Sequence, residues 1–356
     1  MSLLAGMLRI EDTTLLSNLT APEVNDAVNQ LLARYEMERN AWQNFLVEDE
    51  TTDWKTLYNI GAVDEGQEIG PDGRPLETRP TGQIESAYPI KRFGWAMGWN
   101  YETFAHMTAA DLERVVASHQ GGNAKRHLRE QFRALMNNTN YTWTDPVHGS
   151  LTIRRLANTD GTLYPPTYSS DSEAEDNHYL VTGYANTAVS ATNNPFVTLK
   201  AEIIEHFTEA TSVVAIINSA QQAEIQNDLP SFIDGTIDGI TQGNDTAVAT
   251  ADAGLNVPGT FIGIDAASGV RVYVSDSGRI PASYIYAQAV GVPKPLRRRV
   301  HVPESLRGFK LEADEMHYPL YKRTFVDRFG YAVGNRLGAA VMYFHADTWA
   351  NPSAYA

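Results

Sequence analysis

Cysteine is missing from all 356 residues. That excludes disulfides and thiolate metal sites, leaves the fold to noncovalent contacts or other chemistry, and fits assembly in a reducing cytoplasm. No run approaches the ~20 apolar residues of a membrane span, and Met1 to Asp12 lacks a basic stretch followed by a long apolar core. The expectation is a soluble intracellular product with no membrane partner. Catalytic signatures are missing too. There is no G-x-G-x-x-G after a strand, no G-x-x-x-x-G-K-[ST], no H-E-x-x-H and no G-x-S-x-G. Ser277 stands in Val-Ser-Asp-Ser-Gly, without the first glycine of a nucleophile elbow. The residues imply no cofactor, and the chain reads as a non-enzyme.

What is present suits a folded protein: 43% of the residues are hydrophobic, and the length suffices for roughly two domains. The net charge of -15 is unevenly spread, with -10 over residues 1–90, +3 over 91–160, -12 over 161–290 and +4 over 291–356. Two mildly basic segments alternate with two acidic ones. That balance argues against tight nucleic-acid binding, while leaving one basic face able to lie near phosphates.

The longest predicted helix runs from Thr108 to Asn138. Thr108 is a good N-cap with Asp111 three residues on. Leu112, Val115, Val116, Leu128, Phe132, Leu135 and Met136 recur at helical spacing, and Asn137-Asn138 mark the stop. Gly121-Gly122 falls in its middle, where each Gly costs about 1 kcal/mol relative to Ala, so a kink or split is expected there. Lys125, Arg126, Arg129 and Arg133 share the second half, mostly on one face.

Upstream, Thr20-Ala-Pro-Glu23 is a capping box, and Val24, Val28, Leu31 and Tyr35 repeat at helical spacing. One helix cannot bury its stripe alone, so residues 1–50 read as an arm that packs on something else, such as a neighbouring subunit. From Trp54 to Trp99 the sequence turns polar, Gly-rich and Pro-rich, with a turn at Pro71-Asp72-Gly73 between alternating runs. This predicts a long hairpin, docked on a neighbour because an isolated hairpin is marginal in water.

Past the long helix, short strands are expected at Ser150 to Leu156 and Tyr179 to Thr182, with Asp171 to Asp176 a solvated tip. A second helix, Phe196 to Ala210, buries Ile203, Ile204 and Phe207. Ser212 to Ile217 reads as a central strand, and Ser219 to Ile225 as a short helix capped by Asn218 or Ser219. With strands at Phe261 to Ile264, Val270 to Ser275 and Ser283 to Ala287, a mixed, helix-backed sheet covers roughly 200–290. Pro293 to Arg299 is read as a stiff basic connector. Tyr321 to Val333 and Ala339 to Phe344 are strands that must pair with something earlier in the chain.

For metals, the nearest approach is Glu202-Ile-Ile-Glu-His206, with Glu202 and His206 on one helix face. A di-iron centre needs a second such helix and none is apparent, so no metal site is assigned. Asp234, Asp238, Asn244 and Asp245 lack the spacing of a calcium loop and read as turn residues.

The order of parts resembles the major capsid proteins of tailed bacteriophages, the Hong Kong 97-like capsid fold that encapsulins share. The residues that carry the resemblance are Val213-Val-Ala-Ile-Ile-Asn-Ser-Ala-Gln221, the stretch Gly263 to Tyr286, and Arg328-Phe-Gly-Tyr-Ala-Val followed by Gly338-Ala-Ala-Val. The resemblance implies an α+β fold divided into an N-terminal arm (1–53), an extended β-hairpin loop (54–100), a peripheral domain (101–199 and 309–356) with spine helix 108–138, and an α/β axial domain (200–308). It implies a structural subunit that assembles as hexamers and pentamers into an icosahedral virion shell around double-stranded DNA, built in the host cytoplasm. Implied partners are further copies of the chain, a portal protein, a scaffolding protein, a decoration protein, and weak non-specific contact with packaged DNA. The chain opens directly on its arm, so a scaffold is expected to be separate or already removed.

Intersubunit contacts are expected along the hairpin at Glu65, Ile69, Arg74, Ile84, Lys91, Arg92 and Phe93, with Lys125, Arg126, Arg129 and Arg133 as the basic spine face. Lys91 falls where some members form an isopeptide crosslink, but no matching Asn is assignable and it reads as a surface lysine. An encapsulin-like compartment ranks second. From a different class, an enzyme or small-molecule binder with an unrecognised site is the rival reading.

Overall fold

The computed structural model describes residues 8, 11, 13–18, 20–37, 41–59, 73, 83–164, 174–182, 189–207, 212–236, 249–250, 257–275, 278–344 and 346–355. The hairpin candidates Glu65, Ile69 and Arg74 lie outside them, as do Pro71 and Asp72. The helices are α1 (Ala21–Met37), α2 (Ala41–Leu46), α3 (Tyr101–Ala105), α4 (Ala109–Met136), α5 (Pro195–Ile204) and α6 (Ser219–Asp228). The strands of the first half are β1 (Val47–Thr51), β2 (Lys55–Asn59), β3 (Gln83–Ala87), β4 (Lys91–Asn100), β5 (Tyr141–Asp145), β6 (Gly149–Ile153), β7 (Asn158–Tyr164), β8 (Ala174–Asn177) and β9 (Tyr179–Val181). Those of the second half are β10 (Ser212–Asn218), β11 (Phe232–Thr236), β12 (Ala249–Thr250), β13 (Thr260–Asp265), β14 (Val270–Ser275), β15 (Tyr284–Val290), β16 (Leu296–Arg299), β17 (Lys310–His317), β18 (Leu320–Val333) and β19 (Ala339–Tyr343).

An eight-stranded mixed sheet runs in the order β12-β11-β13-β14-β10-β15-β19-β9. Its central strand β10 is parallel to β14 and antiparallel to β15. Side chains alternate across a strand, so Val213, Ala215 and Ile217 enter one core with Phe196, Leu199 and Ile203 of α5 and Ile225 of α6. Val214 and Ile216 enter the opposite core with Leu128, Phe132, Leu135 and Met136 of α4. Helices on both faces explain why the strand is an unbroken apolar run. The sheet reaches beyond 200–290: β19 pairs with β15, and β9 with β19.

A five-stranded sheet, β1-β16-β18-β17 with β4 also on β18, is assembled from three distant stretches of chain, 47–51, 91–100 and 296–333. Here the structure corrects three expectations. The arm does not wait for a neighbour: Val24, Ala27, Val28, Leu31 and Leu32 of α1 are buried against Met97, Leu112, Val116, Phe309 and Phe325 of the same chain, and β1 joins the sheet beside β16. The basic connector is strand β16, with Arg298 and Arg299 buried. The second half of the predicted hairpin, β4, pairs along its whole length with β18.

Helix α4 ties the two regions together. Thr108 caps it, accepting from the Asp111 backbone N–H at 3.2 Å while the Asp111 carboxylate accepts from the Thr108 backbone N–H at 3.2 Å. Its first half packs with α1, β4 and β18, and its second half under the eight-stranded sheet. The helix runs continuously through Gly121-Gly122 and is not split there. The two glycines differ: a Cβ at Gly121 meets nothing within 4 Å, whereas one at Gly122 would lie 3.3 Å from Trp95 Nε1. Gly122 lets the indole of β4 approach the helix.

Helix α5 ends at Ile204 with Glu205 as its C-cap, so His206 stands in the turn beyond the helix rather than on it.

Candidate functional site

The surviving part of the predicted hairpin is the ribbon β2–β3, in register from Lys55 opposite Ala87 to Asn59 opposite Gln83. Its root is anchored. The Trp54 ring stacks on His148 at 4.8 Å, the Tyr88 hydroxyl donates to Thr56 Oγ1 at 3.1 Å, and Ser86 Oγ donates to the Val333 carbonyl at 2.5 Å. Further out, Leu57 is 53% exposed. Ile84 lies in the ladder opposite Tyr58. A two-stranded ribbon with an uncovered leucine gains stability when a second surface covers it.

Lys91, Arg92 and Phe93 are not on this ribbon. The chain passes through buried Tyr88 and Ile90 and enters the main sheet as β4, where Lys91, Arg92 and Phe93 stand opposite Phe329, Arg328 and Asp327. Lys91 Nζ lies 2.8 Å from Glu130 Oε2, an acid only 6% exposed, so Lys91 is an internal ion-pair partner rather than a free surface lysine. Arg92 pairs with Glu312 at 2.9 Å, and the Phe93 ring sits 4.9 Å from that of Phe329. Strand alternation marked these residues as β, but it cannot say which strand they pair with.

The basic side of α4 divides. Arg126 is occupied, 2.9 Å from Glu130 Oε1 and 4.3 Å over the Phe93 ring. Arg133 is half-buried, while Lys125 and Arg129 are exposed and make no ion pair among the described residues. Between the basic positions the helix carries a buried polar lock that the sequence did not suggest. His127 Nε2 lies 2.9 Å from Asp327 Oδ2, Asn123 Nδ2 donates to the same oxygen at 3.0 Å, and His127 Nδ1 meets the Tyr331 hydroxyl at 2.8 Å. The imidazole stacks on Phe329 at 3.6 Å between ring centres. Burial opposes the charge on Asp327, but the bond and charge of His127 with help from Arg298 and Asn123 hold its carboxyl below the usual range.

A second titratable cluster joins β8 to the end of α5. Asp176 Oδ2 lies 2.7 Å from both His178 Nε2 and His206 Nε2, and His206 Nε2 is 3.4 Å from Glu205 Oε1. The Asp176, Glu202 and Glu205 carboxylates approach within 4.8 Å of one another. Burial first, then the neighbouring Asp176, raises Glu202 to about 8. Burial works against charge on His206, yet its bonds to Asp176 and Glu205 raise it to about 9. The sequence singled out Glu202 and His206 but not their partners. The available signal was Asp176-x-His178, an acid and a histidine two residues apart in an extended stretch, here across the junction of β8 and β9.

A cleft of about 310 Å³ opens at the start of α5, lined by Thr182, Thr192, Asn193, Val197 and Met342 among others. None of its lining side chains is an acid, a base or a histidine, which makes it a poor seat for the rival enzymatic reading.

No family model and no curated protein matches the chain. Solved structures do match. One titled Mycobacterium phage Patience aligns over 96% of this chain and 94% of its own, with TM-score 0.68 and 18% identity. The capsid of the native GTA particle aligns over 87% and 92%, with TM-score 0.51 and 12% identity. At these identities the likeness establishes the fold: the chain has the phage capsid fold, α+β in class.

Proposed function

We propose that the chain is the subunit of an icosahedral phage shell, assembling as hexamers and pentamers around packaged double-stranded DNA in the host cytoplasm. The observation that carries the reading is the match in fold over nearly the whole of both chains to the Mycobacterium phage Patience structure. Features of the chain itself support it. The β2–β3 ribbon is rooted in the fold and carries exposed Leu57, as an element reaching for a neighbour requires. In this reading Leu57, Glu65, Ile69, Arg74 and Ile84 meet an adjacent copy. Lys91 and Phe93 serve their own subunit, and Arg92 retains an exposed guanidinium.

The domain names follow the same reading. Helix α4 is the spine, the eight-stranded sheet belongs to the axial domain, and the five-stranded sheet forms the wall. The net charge of -15 suits a container that releases its DNA, with Lys125 and Arg129 giving weak, salt-sensitive contact to phosphates. Portal, scaffolding and decoration proteins are the further partners such a shell employs.

Deletion of Gly66 to Thr81 tests the ribbon. The shortened subunit should keep the circular dichroism and thermal transition of the intact chain yet form no closed particles. Normal shells from that deletion would remove the role given to the ribbon.

A further inference from the structure

The five residues Asp176, His178, Glu202, Glu205 and His206 gather two imidazoles and three carboxylates between the edge of the eight-stranded sheet and the end of α5. His178 fixes the chemistry. Its Nδ1 lies 2.7 Å from the Ala339 backbone carbonyl, which can only accept, so Nδ1 carries the hydrogen. In the neutral ring Nε2 is then a bare lone pair, and it points at Asp176 Oδ2 from 2.7 Å. His206 Nε2 points at the same oxygen, also from 2.7 Å. The bare Nε2 of His178 and the Asp176 oxygen thus face each other lone pair to lone pair, a repulsion relieved only by a positive centre between them, a proton or a metal ion; His206 Nε2, which donates to the same oxygen when it carries a hydrogen, offers its own lone pair to a metal that displaces that hydrogen.

We propose that Asp176, His178 and His206, with Glu202 or Glu205 as the fourth donor, bind one Zn²⁺-class divalent transition ion that staples the β8–β9 edge to the end of α5. The donor set, two imidazole nitrogens with carboxylate oxygens, is that of zinc and its borderline neighbours rather than of calcium or magnesium, which take oxygen. A ligating histidine that donates its other N–H to a backbone carbonyl is the usual outer-shell arrangement of such sites, and His178 has it. The side chains of His178, His206 and Asp176 are 0%, 5% and 9% exposed, whereas Glu205 is 35% exposed and marks the way in. With bonds of about 2.0–2.1 Å, tetrahedral ligand atoms stand about 3.3 Å apart, so loading would widen the 2.7 Å separations by about 0.6 Å. Among the described residues, the ion pairs of these groups are with one another, so no Lys or Arg competes for the centre. The inference stands apart from the shell reading.

The test titrates the full-length chain, stripped with EDTA and dialysed, with Co²⁺ followed by Zn²⁺. One equivalent of Co²⁺ should bind with visible d–d absorption, and one equivalent of Zn²⁺ should displace it and raise the melting temperature. H178Q and H206Q should each weaken Co²⁺ by at least about tenfold, while H317Q, at an exposed strand end, should leave it unchanged. Zinc X-ray absorption on the unmodified chain keeps the proposal open to refutation should the variants misfold, and two imidazoles in the zinc shell are expected. The assignment is overturned by no binding at 100-fold excess metal over protein, by binding unaffected in H178Q and H206Q, or by a zinc shell without imidazole.

Discussion

In the eight-stranded sheet the central strand β10 buries Val213 to Ile217 without a single charge, whereas the five-stranded sheet buries Arg298, Arg299, Arg323 and Asp327 in its strands. The first is held by apolar area shared between two cores. The second is registered by charge. Arg297 Nε reaches Asp49 at 3.1 Å, Arg298 Nη1 reaches Glu50 at 2.7 Å, and Arg299 Nη1 reaches Asp145 at 2.7 Å. Three consecutive arginines on β16 thus read acidic partners on β1 and β5. Apolar burial is non-directional and tolerates sliding, while paired charges penalise every register but one. A sheet drawn from 47–51, 91–100 and 296–333 has more wrong pairings to exclude than one whose strands lie mostly within 212–290.

That contrast can be broken at both ends. Asp145→Leu should cause the largest loss, about 3–5 kcal/mol, because it leaves Arg299 buried and uncompensated; adding Arg299→Met should recover much of it. Urea denaturation of the two variants checks this, and an additive double variant would show the pair to be inert. In the eight-stranded sheet Ile216→Ala should cost about 2–5 kcal/mol through the cavity it opens, with no rescuing partner of this kind. The smallest effect is on the helix that joins the regions. Gly121→Ala should stabilise by up to about 1 kcal/mol, since nothing lies within 4 Å of the added methyl. Gly122→Ala should gain less or nothing because Trp95 must give way. Equal gains at both positions would erase the distinction drawn between them.

The same physics decides what could be read in advance. The long helix was legible to within a residue or two because Thr108, Asp111 and the apolar stripe are local signals, and β10 with α6 was legible because a buried strand followed by an Asn218 cap is local too. The five-stranded sheet was not. Nothing near Arg297-Arg298-Arg299 announces that Glu50, some 250 positions earlier, will sit 2.7 Å from Arg298, so the run reads as a stiff basic connector. Likewise β4 followed the ribbon in sequence and was read as part of it, although its partner β18 begins at Leu320. The Asp176 cluster stayed hidden for the same reason, since its two halves meet only when the sheet edge folds against the end of α5.

The shell claim itself rests on one quantity, the size of what the chain becomes. Sedimentation velocity with electron microscopy of the purified full-length chain, across salt and crowding conditions that drive assembly, should find capsomers and closed particles far larger than a 39.3 kDa subunit. A chain that remains a well-folded monomer under every such condition would contradict the account.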